Sequence, residues 1–230
     1  MPLRFTRRLP EDDTDKAMQR AILSIFLFTF VALAPAKDHQ PPALQPATNY
    51  PAVDSHATEQ VAVAADPCNG SGKCPFFSID YLKYGFLPVR VIVTNNSGAP
   101  ISLAEARIDF YTGEGDKVLA AVPEDVERRT DTIANPATPG VVLPAPFPRI
   151  HARSHNKDKQ IQGDFDAFGF QTLTVDAHVT RAGFLFYNIQ GLNRPLEGAH
   201  LEVRELRDAS DRDLHPFEVP FDKYLAAGWH

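Results

Sequence analysis

Basic side chains are in the minority in this 230-residue chain: 23 Lys and Arg face 29 Asp and Glu, for a formal charge of −6. Nucleic acid and anionic lipid both reward a basic surface, so neither is a favoured partner. Cysteine is nearly missing, with Cys68 and Cys74 alone, and a metal site would need further ligands. No apolar run reaches the roughly 20 residues that span a bilayer comfortably. The Gly-x-Ser-x-Gly elbow of a hydrolase nucleophile is missing as well, and choosing one of the scattered serines for that role would be arbitrary.

Proline, by contrast, is abundant. The 20 prolines are close to twice the usual share of about 5%, and such an excess belongs in linkers and loops. The residues from Ala21 to Ala34 are uncharged and almost wholly apolar, follow Arg20, and lead into Ala34-Pro35-Ala36. That is the layout of a secretory signal with cleavage after Ala36, so residues 1–36 are read as a signal region; an uncleaved anchor is the alternative. Glu11, Asp12, Asp13 and Asp15 nearly cancel the basic charge ahead of the apolar run. A start at Met18 restores a short cationic lead, which makes residues 1–17 a gene-start artefact or a dispensable extension. No cysteine stands at the cleavage site, so a lipid-modified signal is not indicated. The mature chain keeps 18 basic against 25 acidic side chains and is expected to be periplasmic or secreted, without a stable membrane span.

Residues 37–75 divide into a tether and a cysteine loop. Lys37 to Asp66 are rich in Pro, Ala, Gln and Thr and lack hydrophobic periodicity, so this stretch is expected to contribute no core. Cys68 and Cys74 flank a Gly-rich loop and in an oxidising compartment are read as a structural disulfide; two free thiols are the other reading.

From Phe76 the pattern changes to short apolar runs bounded by turn residues. Leu87, Val89, Val91 and Val93 alternate with Pro88, Arg90, Ile92 and Thr94, the period of a strand with one buried face. Asn95 to Gly98 supplies a tight turn, Ala106 to Tyr111 a second strand, and Thr112 to Asp116 a hairpin turn returning through Val118 to Ala121, together a meander. Pro123 to Arg129 is suited to a short helix. Residues 130–169 carry five prolines between Asn135 and Pro148 and read as a long irregular insertion. Regular structure resumes with the alternation from Leu173 to Val179. Gly183 to Ile189, apolar on both faces, suggests a central strand. Ala199 to Leu206, Leu214 to Val219 and a helical turn at Phe221 to Ala227 complete a domain over 76–230. Some seven strands with turn signals between them indicate an all-β, antiparallel sandwich.

Two segments carry a family resemblance. Val89-Arg-Val-Ile-Val-Thr-Asn-Asn-Ser-Gly-Ala-Pro-Ile-Ser-Leu103 and Thr180-Arg-Ala-Gly-Phe-Leu-Phe-Tyr187 resemble, in order, the immunoglobulin-like domains of exported bacterial proteins of uncharacterised function. Where that family commonly has Pro-Gly before the second segment, this chain has Ala177-His178. The resemblance implies an immunoglobulin-like β-sandwich and an extracytoplasmic address. It implies no catalytic residues.

Three constellations invite chemistry. His151 and His155 would share a helix face as metal ligands sometimes do, but Arg153, Lys157 and Lys159 surround them with positive charge and no third ligand is evident. Asp176 and His178 would project from one strand face and orient an imidazole, yet no positioned nucleophile accompanies them. Asp208, Ser210, Asp211 and Asp213 offer oxygens of the kind calcium takes, without the spacing of an EF-hand. Phe165, Phe168, Phe170, Phe184, Phe186 and Tyr187 could line a groove but more simply supply core. No catalytic, cofactor or metal residue is therefore assigned. The expectation is a binding or scaffolding module for an envelope protein or polysaccharide, with the 130–169 insertion as its variable surface; the alternative is an extracytoplasmic hydrolase whose site the sequence does not display.

Overall fold

Phe86–Asn95 (β3) organises the architecture. The structure, a computed structural model, describes residues 40–70, 72–134 and 155–228, all within the unit His39–His230; the expected signal region lies outside them. The odd positions of β3, from Leu87 to Val93, are fully buried in one core. Its even positions are buried too. Phe86 joins an aromatic cluster, and Ile92 packs on Ala47 and Tyr50. Arg90 Nη1 donates to the Pro42 carbonyl at 2.9 Å, and the Ala47 N–H donates to Thr94 Oγ1 at 2.8 Å. The expectation of one buried face is thus corrected: chain from either side of the sheet covers the second face, and the polar residues on it find partners there.

Val61–Pro67 (β2) and Val179–Asn188 (β8) flank β3, and Val53–His56 (β1) lies beyond β2, giving the order β1-β2-β3-β8. A second sheet runs Phe217–Pro220 (β10), His200–Arg204 (β9), Arg107–Tyr111 (β5), Lys117–Val118 (β6). Ile101–Ser102 (β4) and Thr174–Val175 (β7) make a small third pair. All of this pairing is antiparallel. Phe110, Leu201, Val203, Phe217 and Val219 of the second sheet share one core with Val61, Val63 and the odd residues of β3, so the two four-stranded sheets face each other. Period-two alternation makes this possible, since each strand sends every other side chain inward.

The tether reading of 37–75 is corrected over its described part. Residues 53–56 and 61–67 are strands, and Val61 to Ala65 are at most 2% exposed. Alanines that look like linker composition are the small side chains this tightly covered strand accommodates, and every residue of β2 is in register with β3. The meander is corrected as well. The Asn95–Gly98 turn leads out of the first sheet into β4, so β3 and β5 belong to different sheets. The hairpin at Thr112 to Asp116 forms as expected, with the Thr112 N–H donating to the Asp116 carbonyl at 2.9 Å.

The described parts of the 130–169 insertion are helical. Pro123–Ala134 (α1) starts at the expected proline with Glu124 and Asp125 in its first turn, and runs further than expected. His155–Phe168 (α2) replaces the expected loop. Val126 and Ile161, both fully buried, pack with Phe76, Phe184 and Phe186, so the two helices form a third layer over the outer face of the first sheet. Lys157, read from sequence as part of a basic loop, donates to Tyr84 Oη at 3.1 Å. Strand β8 is apolar on both faces as expected, but it is the last strand of its sheet and not a central one. Asp222–Ala226 (α3) supplies the expected C-terminal helical turn.

Candidate functional site

Cys68 and Cys74 form a disulfide, with Cα atoms 5.9 Å apart. Lys73, inside that ring, donates to Asp66 Oδ1 at 3.1 Å, to the Pro67 carbonyl at 2.7 Å and to the Tyr224 hydroxyl. Tyr224 in turn donates to Asn69 Oδ1 at 2.6 Å. The ring therefore fastens the end of β2 to α3. Burial pushes the Lys73 ammonium below its ordinary pKa, while Asp66 pulls it back up.

Asp176 and His178 do not share a strand face. They stand in the turn between β7 and β8, both exposed, and His178 adopts φ 59°, which breaks the alternation assumed from the sequence. His151 lies outside the described residues, as does the side chain of His155. In the 207–213 turn the carboxylates are already engaged by cations. Arg212 grips Asp208 Oδ2 at 2.6 Å, and Arg207 reaches Asp211 at 3.3 Å and Asp213 at 3.0 Å. The Arg212 N–H and guanidinium, with the Ser210 N–H, hold the Asp208 carboxyl below the usual range. Among the described residues no group of three or more His, Cys, Asp and Glu is arranged to hold a metal.

Two polar clusters escaped the sequence reading. His56 places Nδ1 2.9 Å from Glu59 Oε2 and Nε2 3.3 Å from Asp54 Oδ2, and stacks on Phe217 with ring centroids 4.0 Å apart. Glu59 also accepts the His215 N–H at 2.8 Å, and Asp54 the Glu218 N–H at 2.9 Å. The cluster clasps β1 of one sheet to β10 of the other. Asp54 and His56, two apart on one strand, were its only sequence signal. The second cluster is buried: Asp164 on α2 accepts the Ser78 N–H at 2.9 Å and the Tyr81 hydroxyl at 3.0 Å. Burial raises the pKa of both side chains, and the hydrogen bonds to Asp164 oppose the rise at the carboxyl.

One concave surface lies along the outer edge of β8. Among the described residues two segments pair with that edge: the Phe170 N–H donates to the Phe184 carbonyl at 2.9 Å and the Ala121 N–H to the Phe186 carbonyl at 2.7 Å, with isolated bridges between Gly169 and Phe184 and between Ala120 and Tyr187. Two depressions of about 220 and 260 Å³ adjoin there, sharing Phe170, Gln171 and Leu185. Gly183 lets the chain cross so close, since a Cβ on it would lie 2.4 Å from Phe170 Cα. Val122, 52% exposed, rims one depression and Leu173, 64% exposed, the other. A third cleft of about 530 Å³ continues past Ala120 and Ala121 between α1 and the end of the β3–β8 ladder, rimmed by Leu119 at 66% exposure. Phe184, Phe186 and Tyr187 are buried core as expected, whereas Phe165 and Phe170 are partly exposed and help line these depressions.

No protein-family model matches the chain, and neither a curated protein nor a solved structure matches it.

Proposed function

We propose that the protein is an extracytoplasmic, immunoglobulin-like module that binds or scaffolds another polypeptide of the cell envelope along the outer edge of β8. The observation that carries this reading is the grouping of Leu119, Val122 and Leu173, three large apolar side chains each more than half exposed, around adjoining depressions at one sheet edge. Contiguous exposed apolar surface is a usual mark of an interaction site. An edge strand adds a backbone able to align an extended partner segment. The described part of the 130–169 insertion contributes Phe165 of α2 to one depression.

The address rests on the disulfide, which suits an oxidising compartment, and on the apolar run before Ala36. No described helix is long and apolar enough to cross a membrane. The immunoglobulin-like reading is supported by two facing antiparallel sheets and by His178, whose positive φ at the place of the family's glycine is a conformation glycine adopts most readily.

The test is affinity capture from envelope extract with the tagged protein and with a Val122→Glu, Leu173→Glu double variant. A partner retained by the wild type and lost by the variant supports the groove. Equal recovery by both would exclude this edge, and no retained partner at all would count against a binding module. N-terminal sequencing of the exported protein checks the address, with Lys37 as the expected first residue.

A further inference from the structure

We propose that Asn69 is a self-modifying site, at which the Gly70 backbone nitrogen attacks the Asn69 side-chain amide and Tyr224 stabilises the charge that develops. Asn69-Gly70 is the chain's only Asn-Gly pair. The attack closes a small ring within one chain, a step that proximity favours. Glycine has no Cβ to obstruct the approach. The structure leaves both reacting nitrogens unengaged: among the described residues neither the Gly70 N–H nor Asn69 Nδ2 donates a hydrogen bond, and both residues are half-buried, within reach of water.

The amide oxygen, by contrast, is held. The Tyr224 hydroxyl lies 2.6 Å from Asn69 Oδ1 and 3.2 Å from the Pro67 carbonyl, which Lys73 already serves at 2.7 Å, so the hydroxyl proton goes to the asparagine. Lys73 also donates to the hydroxyl oxygen, which polarises the O–H and makes it a stronger donor. As the Gly70 nitrogen loses its proton to hydroxide and bonds to Asn69 Cγ, the carbonyl electron pair moves onto Oδ1. The Tyr224 proton already points at that oxygen, as a donor does in an oxyanion hole. Collapse of the adduct breaks the Cγ–Nδ2 bond; Nδ2 takes a proton from water and leaves as ammonia, and a succinimide remains. Water then opens the imide. Breaking the bond from the Gly70 nitrogen to Cγ gives aspartate, and breaking its bond to the Asn69 main-chain carbonyl carbon gives isoaspartate. Either product puts a carboxylate where the 68–74 ring is fastened to α3. No residue of the β8 edge takes part, so the site stands independently of the polypeptide-binding reading.

Incubation of the purified protein, disulfide intact, in mildly alkaline buffer tests it, followed by digestion and peptide mass spectrometry. The peptide carrying residue 69 is expected to gain the mass of an amide-to-acid change and to contain both aspartate and isoaspartate. It should do so well ahead of the peptide carrying Asn96, which is exposed and precedes Ser97. Tyr224→Phe should slow the conversion by about tenfold, less than the loss of an oxyanion donor in a closed active site, because water partly replaces the hydroxyl here. Lys73 acts through Tyr224, so Lys73→Gln should slow the conversion by a smaller factor and Lys73→Arg should recover the rate. The lysine pair serves if the Tyr224 variant does not fold, which circular dichroism checks. No conversion at residue 69 in the wild type would overturn the proposal, and aspartate without isoaspartate would do the same by pointing to direct hydrolysis. So would a folded Tyr224→Phe protein that converts as fast as the wild type, or Lys73→Gln and Lys73→Arg proteins that convert at one rate.

Discussion

Replacing Gly183 with alanine probes the chain crossing on which the concave surface depends. Gly183 lies in β8 opposite Val91, and the 169–170 segment passes directly over it. An added Cβ would sit 2.4 Å from Phe170 Cα, 2.8 Å from Phe170 N and 2.9 Å from the Gly169 carbonyl oxygen. All three are backbone atoms, so no side chain can swing aside. Ordinary contact begins near 3.4 Å, which means the crossing must retreat by about 1 Å, a typical overpacking displacement. The Phe170 N–H to Phe184 carbonyl bond then stretches beyond use, a loss of about 0.5–1.5 kcal/mol, and the overpacked contact adds about 1–3 kcal/mol. Gly183→Ala should therefore destabilise by about 2–4 kcal/mol, roughly 5–15 °C in Tm for a domain of this size. Gly163 is the matched control. It is exposed on α2 with nothing within 4 Å of a built Cβ, and alanine there should stabilise by up to about 1 kcal/mol through helix propensity and a less flexible unfolded chain. Urea unfolding of the three proteins gives midpoints and slopes. A Gly183→Ala protein that unfolds at the wild-type midpoint would refute the close crossing.

Cys68→Ser should cost about 2 kcal/mol by reopening a small ring, and the wild type in reductant should unfold at the same urea concentration as the variant. Ile161→Ala should cost about 2–5 kcal/mol as a cavity under α2, read as a lower Tm, although its segment reads in sequence as an irregular insertion. Asp164 has a folded pKa raised by burial above its ordinary 3.8. The folded state therefore holds this proton more tightly than the unfolded chain; its stabilising effect is full below that ordinary value and is lost as pH rises through the folded one. Urea midpoints measured from about pH 4 upward should decline for the wild type by an increment that Asp164→Asn lacks.

The strands with strong alternation were legible because β-branched and aromatic side chains announce a buried face: Leu87 to Val93, Ile108 with Phe110, and Leu201 with Val203 all stand where the pattern put them. The disulfide and the start of α1 followed from equally local chemistry. Strand β2 was not legible, since Val61 to Ala65 are mostly small residues whose burial is conferred by neighbours on both sides and not by their own hydrophobicity. Helix α2 was hidden for a related reason. Its inward positions Ile161, Asp164, Phe165 and Phe168 include a buried carboxylate, and Gly163 interrupts the run. Which sheet each strand joins is set by partners up to 102 residues away, as in Phe86 opposite Asn188, and no local pattern encodes that. The cleft between α1 and the end of the β3–β8 ladder was not legible either, because its lining comes from three separated stretches of the chain.

The clasp at Asp54, His56 and Glu59 also has a temporal meaning. Asp54 waits for Glu218, and Glu59 for His215, 164 and 156 residues further along the chain. Strand β3 likewise meets β8 only after both helices have been made. Pairings of such separation carry the full entropy of closing long loops before any contact repays it, which places folding toward the slow end for domains of this size. During synthesis, β1, β2 and β3 can assemble early, but they expose the odd face of β3 until β9 and β10 arrive to cover it. The core between the two sheets therefore closes only when nearly the last strand has been translated.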